Sequence, residues 1–279
     1  MKSVLIIGTG LIGASVGLAL REAGFSGSIT GIDASGDELK AAEASGAIDR
    51  AARSPEEHRA AIAAADVIVL AVPVLAILQW IQGIAPQLRP GQLVTDAGST
   101  KAEILRAAER LMPDNFLPGH PMAGKESGGA SLAEASLFRG ATWIFTPMHE
   151  TTPIEAEWRG WVEKFGAKLL DMDAARHDEI CAWVSHMPQM VSTAMSAMLE
   201  DKFGDSPELR AIGGRALREM TRLGSSPFSM WRDIAHTNQE NIAETLLTLE
   251  QRLQHLRENL KTPELREEFG RANAFRRQL

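Results

Sequence analysis

The 279-residue chain has no tyrosine, a single cysteine and no apolar run long enough to cross a bilayer, and each absence removes a class of protein. With Cys181 alone, an intramolecular disulfide and a cysteine-built metal cluster are both excluded. A reducing compartment and no metal cofactor are expected. The apolar start "MKSVLIIGTGLIGASVGLAL" is broken at "GTG", short of the roughly 18 residues a spanning helix needs, and it lacks the small-residue cleavage pattern of a secretory leader. A cytoplasmic location with no membrane partner follows as the expectation. Positive charge is also scarce: 29 lysines and arginines against 36 acids leave a net charge of -7. That balance lacks the basic footprint of a nucleic-acid binder, and an anionic small molecule would need a local basic pocket.

What is present is an ordinary globular composition, 44% hydrophobic and 23% charged, read as ordered throughout and as one large or two ordinary domains. Residues 3–7, "SVLII", form a short β-branched run of the kind that makes a buried parallel strand. "GTGLIG" follows, with Gly8, Gly10 and Gly13 opening a periodic helix whose first turn holds Leu11 and Ile12. Glycines here permit a tight turn and close backbone approach, and the N–H groups of the helix N-terminus stabilise a pyrophosphate. "SITGID" gives a second strand with Asp33 at its carboxyl end, about 20 residues past the last motif glycine, where an acid accepts hydrogen bonds from a ribose. That acid would repel a 2′-phosphate, and the following "ASG" has no arginine, so NAD is expected rather than NADP. The competing reading is a glycine-rich turn in a non-binding α/β domain.

Strand and helix keep alternating through "DVIVLAVP", "LAILQWIQGIAPQL", "QLVTDAG" and "KAEILRAAERLM". The pattern predicts a Rossmann-type doubly wound parallel sheet, with ligands at the carboxyl ends of its strands. Val72, Pro73, Asp96, Gly98, Ser99 and His120 all fall at or just past such ends. "NFLPG", "TWIFTP" and "KLLDMD" are three further short strands, and beyond Asp173 the apolar spacing is helical. The expected division is a dinucleotide-binding domain over 1–173 and an all-α substrate-binding and dimerisation domain over 174–279.

A dehydrogenase needs a proton acceptor, and without tyrosine the Tyr/Lys pair of short-chain dehydrogenases is impossible. His120, in "GHPMAGKESGG", is the best remaining candidate: strand-terminal and followed by a glycine-rich stretch able to close over substrate. In the helical half, His177 reads equally as a solvated or a site residue, and His186 reads as a hydrogen-bonded core histidine. Arg222 precedes the "GSSP" break and could project into a cleft as a bidentate carboxylate partner. The "NIAETLLTLEQRLQHLREN" helix is plainly amphipathic, with its stripe facing core or a subunit interface.

"GTGLIGASVG", "DAGSTK", "GHPMAGKESG", "HDEICAWVSHMP" and "REMTRLGSSPFSMWRDI", in this order, resemble the prephenate/arogenate (cyclohexadienyl) dehydrogenases of tyrosine biosynthesis. The resemblance spans nearly the whole chain. It implies NAD-dependent oxidative decarboxylation of prephenate to 4-hydroxyphenylpyruvate, with arogenate, or both substrates, as the alternative. His120 matches the catalytic histidine and Ser99 the serine that orients it beside the nicotinamide. Arg222 matches an arginine that grips a substrate carboxylate, Trp231 a tryptophan lining the pocket, and Glu126 an acid that gates access. His177 and His186 match further histidines near the cleft. One departure stands out: where many prephenate-using members read "SHLPH", this chain reads "SHMPQ". Gln189 is therefore expected to face the substrate side chain and to favour arogenate or dual use. A homodimer is expected by analogy with similar folds. Two other readings are a β-hydroxyacid dehydrogenase or imine reductase, and a non-catalytic NAD sensor.

Overall fold

The computed structural model describes residues 1–125 and 127–278. The chain alternates Ser3–Ile7 (β1), Leu11–Glu22 (α1), Ser28–Ile32 (β2), Gly36–Ala44 (α2), Arg50–Ala51 (β3), Pro55–Ala64 (α3), Val67–Leu70 (β4), Val74–Ile84 (α4), Leu93–Asp96 (β5), Ala102–Leu111 (α5) and Phe116–Leu117 (β6). These six strands pair in parallel in the order β3-β2-β1-β4-β5-β6. Helices cover both faces, so the strands carry aliphatic side chains on each side, and Leu5, Ile6, Val67 and Val69 are fully buried. Burying each such side chain stabilises the fold by about 1.5–3 kcal/mol. The register pairs Ile7 with Ile32 and Leu70, and Leu70 with Asp96. Gly8, Asp33, Ala71 and Ala97 therefore leave the sheet along one edge.

The segment "NFLPG" does not form one strand. Pro118 lies between β6 and Gly119–Pro121 (β7), and β7 leaves the main sheet to pair antiparallel with Thr142–Phe145 (β8). Next come Pro153–Lys164 (α6) and Lys168–Asp171 (β9), the latter parallel to β8. His120 thus sits on a small three-stranded sheet set beside the end of β5. Four elements lie outside the expectations drawn from the sequence: α2, the two-residue β3, α3 and α6. The signal for α3 was present in "SPEE", where Ser54 and Glu57 close a capping box around Pro55.

From Asp173, whose carboxylate caps the next helix, the described chain is helical. It runs through Ala174–Cys181 (α7), Met187–Phe203 (α8), Pro207–Ile212 (α9), Arg215–Thr221 (α10), Phe228–Thr237 (α11), Gln239–Glu258 (α12) and Pro263–Arg276 (α13). Between α7 and α8 the helix widens into a π-type turn over Ala182–His186. Pro188 lies just beyond; it lacks an N–H and its ring crowds the preceding turn, and the wider turn accommodates both. No helix among the described residues is long and apolar enough to cross a membrane.

Candidate active site

At the edge where β1 ends, Gly8 has φ +91°, and a Cβ there would strike the Ala71 backbone. A Cβ at Gly13 would collide with the carbonyl oxygen of Gly8. Both glycines are required by the protein's own packing. Gly10 differs: a Cβ there would meet nothing within 4 Å. The space above Gly10 adjoins the N-terminus of α1, which has no side-chain cap and no acid in its first turn. Open space facing uncapped N–H groups fits a dinucleotide pyrophosphate. At the end of β2, Asp33 accepts from the Thr9 N–H at 2.7 Å and the Ser35 N–H at 2.8 Å. The carboxylate is thereby fixed, with lone pairs remaining for a ribose hydroxyl. Val72 presses on the glycine turn and Pro73 opens α4, so the expected cofactor residues do gather along one edge.

The second group centres on His120. Both oxygens of Asp178 accept backbone N–H groups at the start of α5, from Lys101 at 2.7 Å and Ala102 at 2.9 Å. Asp178 therefore acts as an acceptor toward His177 as well, and His177 Nδ1 donates to it at 2.8 Å. In the neutral tautomer of His177 that carries this Nδ1 proton, Nε2 accepts from His120 Nδ1 at 2.8 Å. His120 then carries its lone pair on Nε2. His177 is fully buried and His120 is 9% exposed, so His120 is the member of the pair that a ligand can reach. Desolvation first, then the neighbouring His177, Lys101 and His186, hold the pKa of His120 well below the usual histidine range. It is neutral at physiological pH.

This arrangement differs from the expected one, in which Ser99 orients the histidine. Ser99 is half-buried in the turn after β5 and makes no side-chain hydrogen bond among the described residues. The turn is shaped instead by Asp96, which accepts from the Gly98 and Gly119 N–H groups and from the fully buried Lys101 ammonium. Lys101 Nζ also donates to the Gly119 carbonyl at 2.7 Å, fixing the backbone just before His120. Burial pulls the Lys101 pKa down, opposed by the Asp96 carboxylate.

The helical half supplies the rest. His186 is the buried, hydrogen-bonded histidine expected of it: Asn238 Nδ2 donates to its Nδ1 at 3.1 Å and to the Asp178 carbonyl at 2.8 Å. Burial lowers the pKa of His186 to about 4. Its ring lies edge-on to Trp231, with centroids 5.9 Å apart, and the buried Trp231 indole N–H has no partner among the described residues. An orphaned buried donor of this kind suits a polar ligand. Burial and Asp178 push the Cys181 thiol up to about 12, so it rests protonated.

Gln189 does not present a free amide. Its Nε2 donates to the Leu223 carbonyl at 2.7 Å and its Oε1 accepts from Ser226 at 3.2 Å. It holds the short turn Arg222–Ser225, and Arg222 stands exposed at the head of that turn. Glu126 lies outside the described residues. Sequence reasoning missed Asp178, Lys101 and Asn238. The first was signalled only by its place beside His177, and the second by being the last residue of "DAGSTK".

Fold and site together define an NAD-binding dehydrogenase built from a Rossmann sheet and a helical half. Residues 16–170 match the family described as prephenate dehydrogenase, nucleotide-binding domain, and residues 173–272 match prephenate dehydrogenase, dimerization domain. The chain belongs to the prephenate dehydrogenase family. It is 33% identical to the prephenate dehydrogenase of Lactococcus lactis over 92% of its own length and 70% of that protein's. The prephenate dehydrogenase of Aquifex aeolicus, solved with hydroxyphenyl propionate and NAD+, superposes with a TM-score of 0.88 at 28% identity, covering 100% of this chain and 98% of that one. The Synechocystis arogenate dehydrogenase does so with a TM-score of 0.80 at 30% identity, covering 99% of each chain.

Proposed function

We propose that this protein removes hydride and carbon dioxide from a cyclohexadienyl alcohol, converting prephenate to 4-hydroxyphenylpyruvate, with arogenate as the alternative substrate. The observation that carries this reading is the chain of hydrogen bonds from Asp178 through His177 to His120, which leaves His120 Nε2 as a neutral acceptor. Bound NAD+ supplies the hydride acceptor. As the ring carbon gains carbonyl character, His120 takes the hydroxyl proton and Asp178, acting through His177, stabilises the charge that develops. The overall reaction releases no net proton, so the proton is returned to the oxygen as the ring becomes aromatic. Aromatisation drives the step, and the protein's main task is to orient the ring.

In this reading Arg222 pairs with a substrate carboxylate, Trp231 lines the ring pocket, and Glu126 gates access. His186 and Gln189 act at one remove: His186 backs Trp231, and Gln189 holds the Arg222 turn. Ser99 is assigned to the nicotinamide edge. Gly8, Gly10, Leu11, Ile12, Gly13, Asp33, Val72 and Pro73 hold the cofactor.

The division into domains at residue 173 belongs to the same proposal, as does a cytoplasmic homodimer. A dimer is supported by the large apolar side chains left exposed on the helical half, among them Ile212, Phe228, Leu253 and Phe269. The deciding experiment is NADH formation with prephenate or arogenate under matched conditions, with NADP+ in parallel. Turnover of either substrate with NAD+ supports the reading, and no turnover of either overturns it.

A further inference from the structure

His177 and Cys181 stand four residues apart on α7, a spacing that turns both side chains to one side of a helix. Cys181 Sγ lies 3.5 Å from His177 Nε2, and His120 Nδ1 reaches that same nitrogen from β7 at 2.8 Å. One ligand atom from each of the three lies within 4.8 Å of the others. A tetrahedral ion with metal–nitrogen bonds of about 2.0 Å and a metal–sulfur bond of about 2.3 Å separates two nitrogens by about 3.3 Å and nitrogen from sulfur by about 3.5 Å. The sulfur is already at that distance from His177; His120 has about half an ångström to retreat from His177, and its separation from the sulfur, up to 4.8 Å, closes to about 3.5 Å as the ion binds. Asp178, bonded to the far nitrogen of His177 at 2.8 Å, is the outer carboxylate that commonly fixes a ligating imidazole. Two imidazoles and a thiol select a thiophilic cation over Mg2+ or Ca2+.

We propose that His120, His177 and Cys181 form an inhibitory site for a thiophilic divalent cation, Zn2+ foremost. As the metal–sulfur bond forms, the Cys181 S–H bond breaks and its proton leaves to solvent. His120 shifts its proton from Nδ1 to Nε2, which frees Nδ1 to ligate, and His177 Nε2 ligates with the lone pair it already presents. No electrons change hands, and one proton is released per ion bound. Inhibition follows because His120 Nε2 then carries hydrogen and can no longer accept one. This last step rests on the reading of His120 as the base; the binding does not.

The experiment uses the chelator-treated, full-length enzyme. Co2+ titration should produce a near-ultraviolet sulfur-to-cobalt charge-transfer band with visible tetrahedral bands, and Zn2+ should abolish both these bands and NADH formation. Mg2+ should do neither. Cys181→Ala should keep near-normal turnover, lose the sulfur band and become at least tenfold less sensitive to Zn2+. Cys181→Ser serves the same purpose if the alanine variant does not fold. Absence of the sulfur band in the wild type, or equal Zn2+ sensitivity in the cysteine variants, overturns the site. If the band appears in an enzyme that turns over neither ring substrate, the site stands and the proposed reaction falls.

Discussion

The two halves of the chain bury different kinds of residue. Up to residue 173 two large apolar clusters fill the interior, from Val4 and Ile6 through Trp143 and Phe165 in one and from Leu5 through Phe116 in the other, and buried polar groups such as Asp96 and Lys101 are set among them. Beyond it the buried apolar cluster shrinks to Ala182, Ile234 and Ile242, while His177, Asp178, His186, Gln189, Asp233 and Asn238 are buried as polar groups. Among the described residues, all the large exposed apolar side chains except Leu132 and Leu170 also lie beyond residue 173. The nucleotide half is stabilised by its own core. The helical half has little core of its own; of its buried polar groups, His177 and Asp178 reach His120, while Gln189 and Asp233 hold neighbouring turns, and its apolar faces lack cover within one chain. Stability and chemistry are thus unequally divided.

The largest effect expected from that division is at the one site residue the nucleotide half contributes to proton transfer. His120→Asn should lower turnover about a thousandfold, within the range for loss of a positioned base, and leave NAD+ affinity within a factor of about two. Steady-state rates and NAD+ binding by fluorescence check it; near-normal turnover would remove His120 from its role. Next is Arg222→Ala, which should cost about 3 kcal/mol in kcat/KM, through loss of a charge-assisted hydrogen bond to a carboxylate. The loss should appear with the ring substrate. A change confined to NAD+ affinity would place Arg222 on the wrong half of the reaction.

The halves also differ in how much of each was legible in the sequence. β1, α1, β2, β4 and β5 follow directly from apolar runs closed by glycine or an acid, because a strand buried on both faces leaves a continuous signal. The proposed cofactor edge rests on the same pattern. The relay did not. Asp178 is one residue from His177, yet its role depends on α5 arriving to be capped by it, a contact across 76 residues or more. Gln189 was read as facing substrate because it replaces a histidine in a motif. Its amide is instead held by the 222–226 turn, which depends on where α10 ends and which no local spacing encodes. Ser99 carries a similar lesson: its motif was recognisable, but the hydrogen bond expected of it is made by His177.

The polar interior of the helical half predicts a smaller, pH-dependent effect. His186 is buried with its pKa lowered to about 4, so below about pH 6.5 the unfolded chain binds a proton that the folded one refuses. Stability is therefore undiminished above that value and falls as pH drops toward 4. His186→Gln should flatten this slope and recover roughly 1 kcal/mol at about pH 5.5 relative to its own value at neutral pH. Urea unfolding at the two pH values measures it. An unchanged slope would mean that His186 is not held neutral by the fold.

The smallest expected effect tests whether the halves act as one. Asp233, on α11, is buried, and its Oδ2 accepts from the Leu75 N–H at 3.2 Å in the first turn of α4, directly after Val72 and Pro73. Thr237, one turn further on, shares a 2.7 Å hydrogen bond with Thr100, beside Ser99. Two points on the helical half thus hold the turns after β4 and β5, which the proposed function sets beside the nicotinamide. Asp233→Asn keeps the acceptor oxygen and removes the charge at the N-terminus of α4, where a negative charge is stabilising by about 0.3–1 kcal/mol. NAD+ affinity should therefore fall by about two- to fivefold with the ring-substrate KM little changed. Asp233→Ala, which also leaves the Leu75 N–H without its partner, should weaken NAD+ further. Titration of NAD+ into both variants, set beside their KM values for prephenate, separates the outcomes. If only the prephenate KM moves, the helical half serves the substrate alone, and the cofactor edge is the work of the nucleotide half by itself.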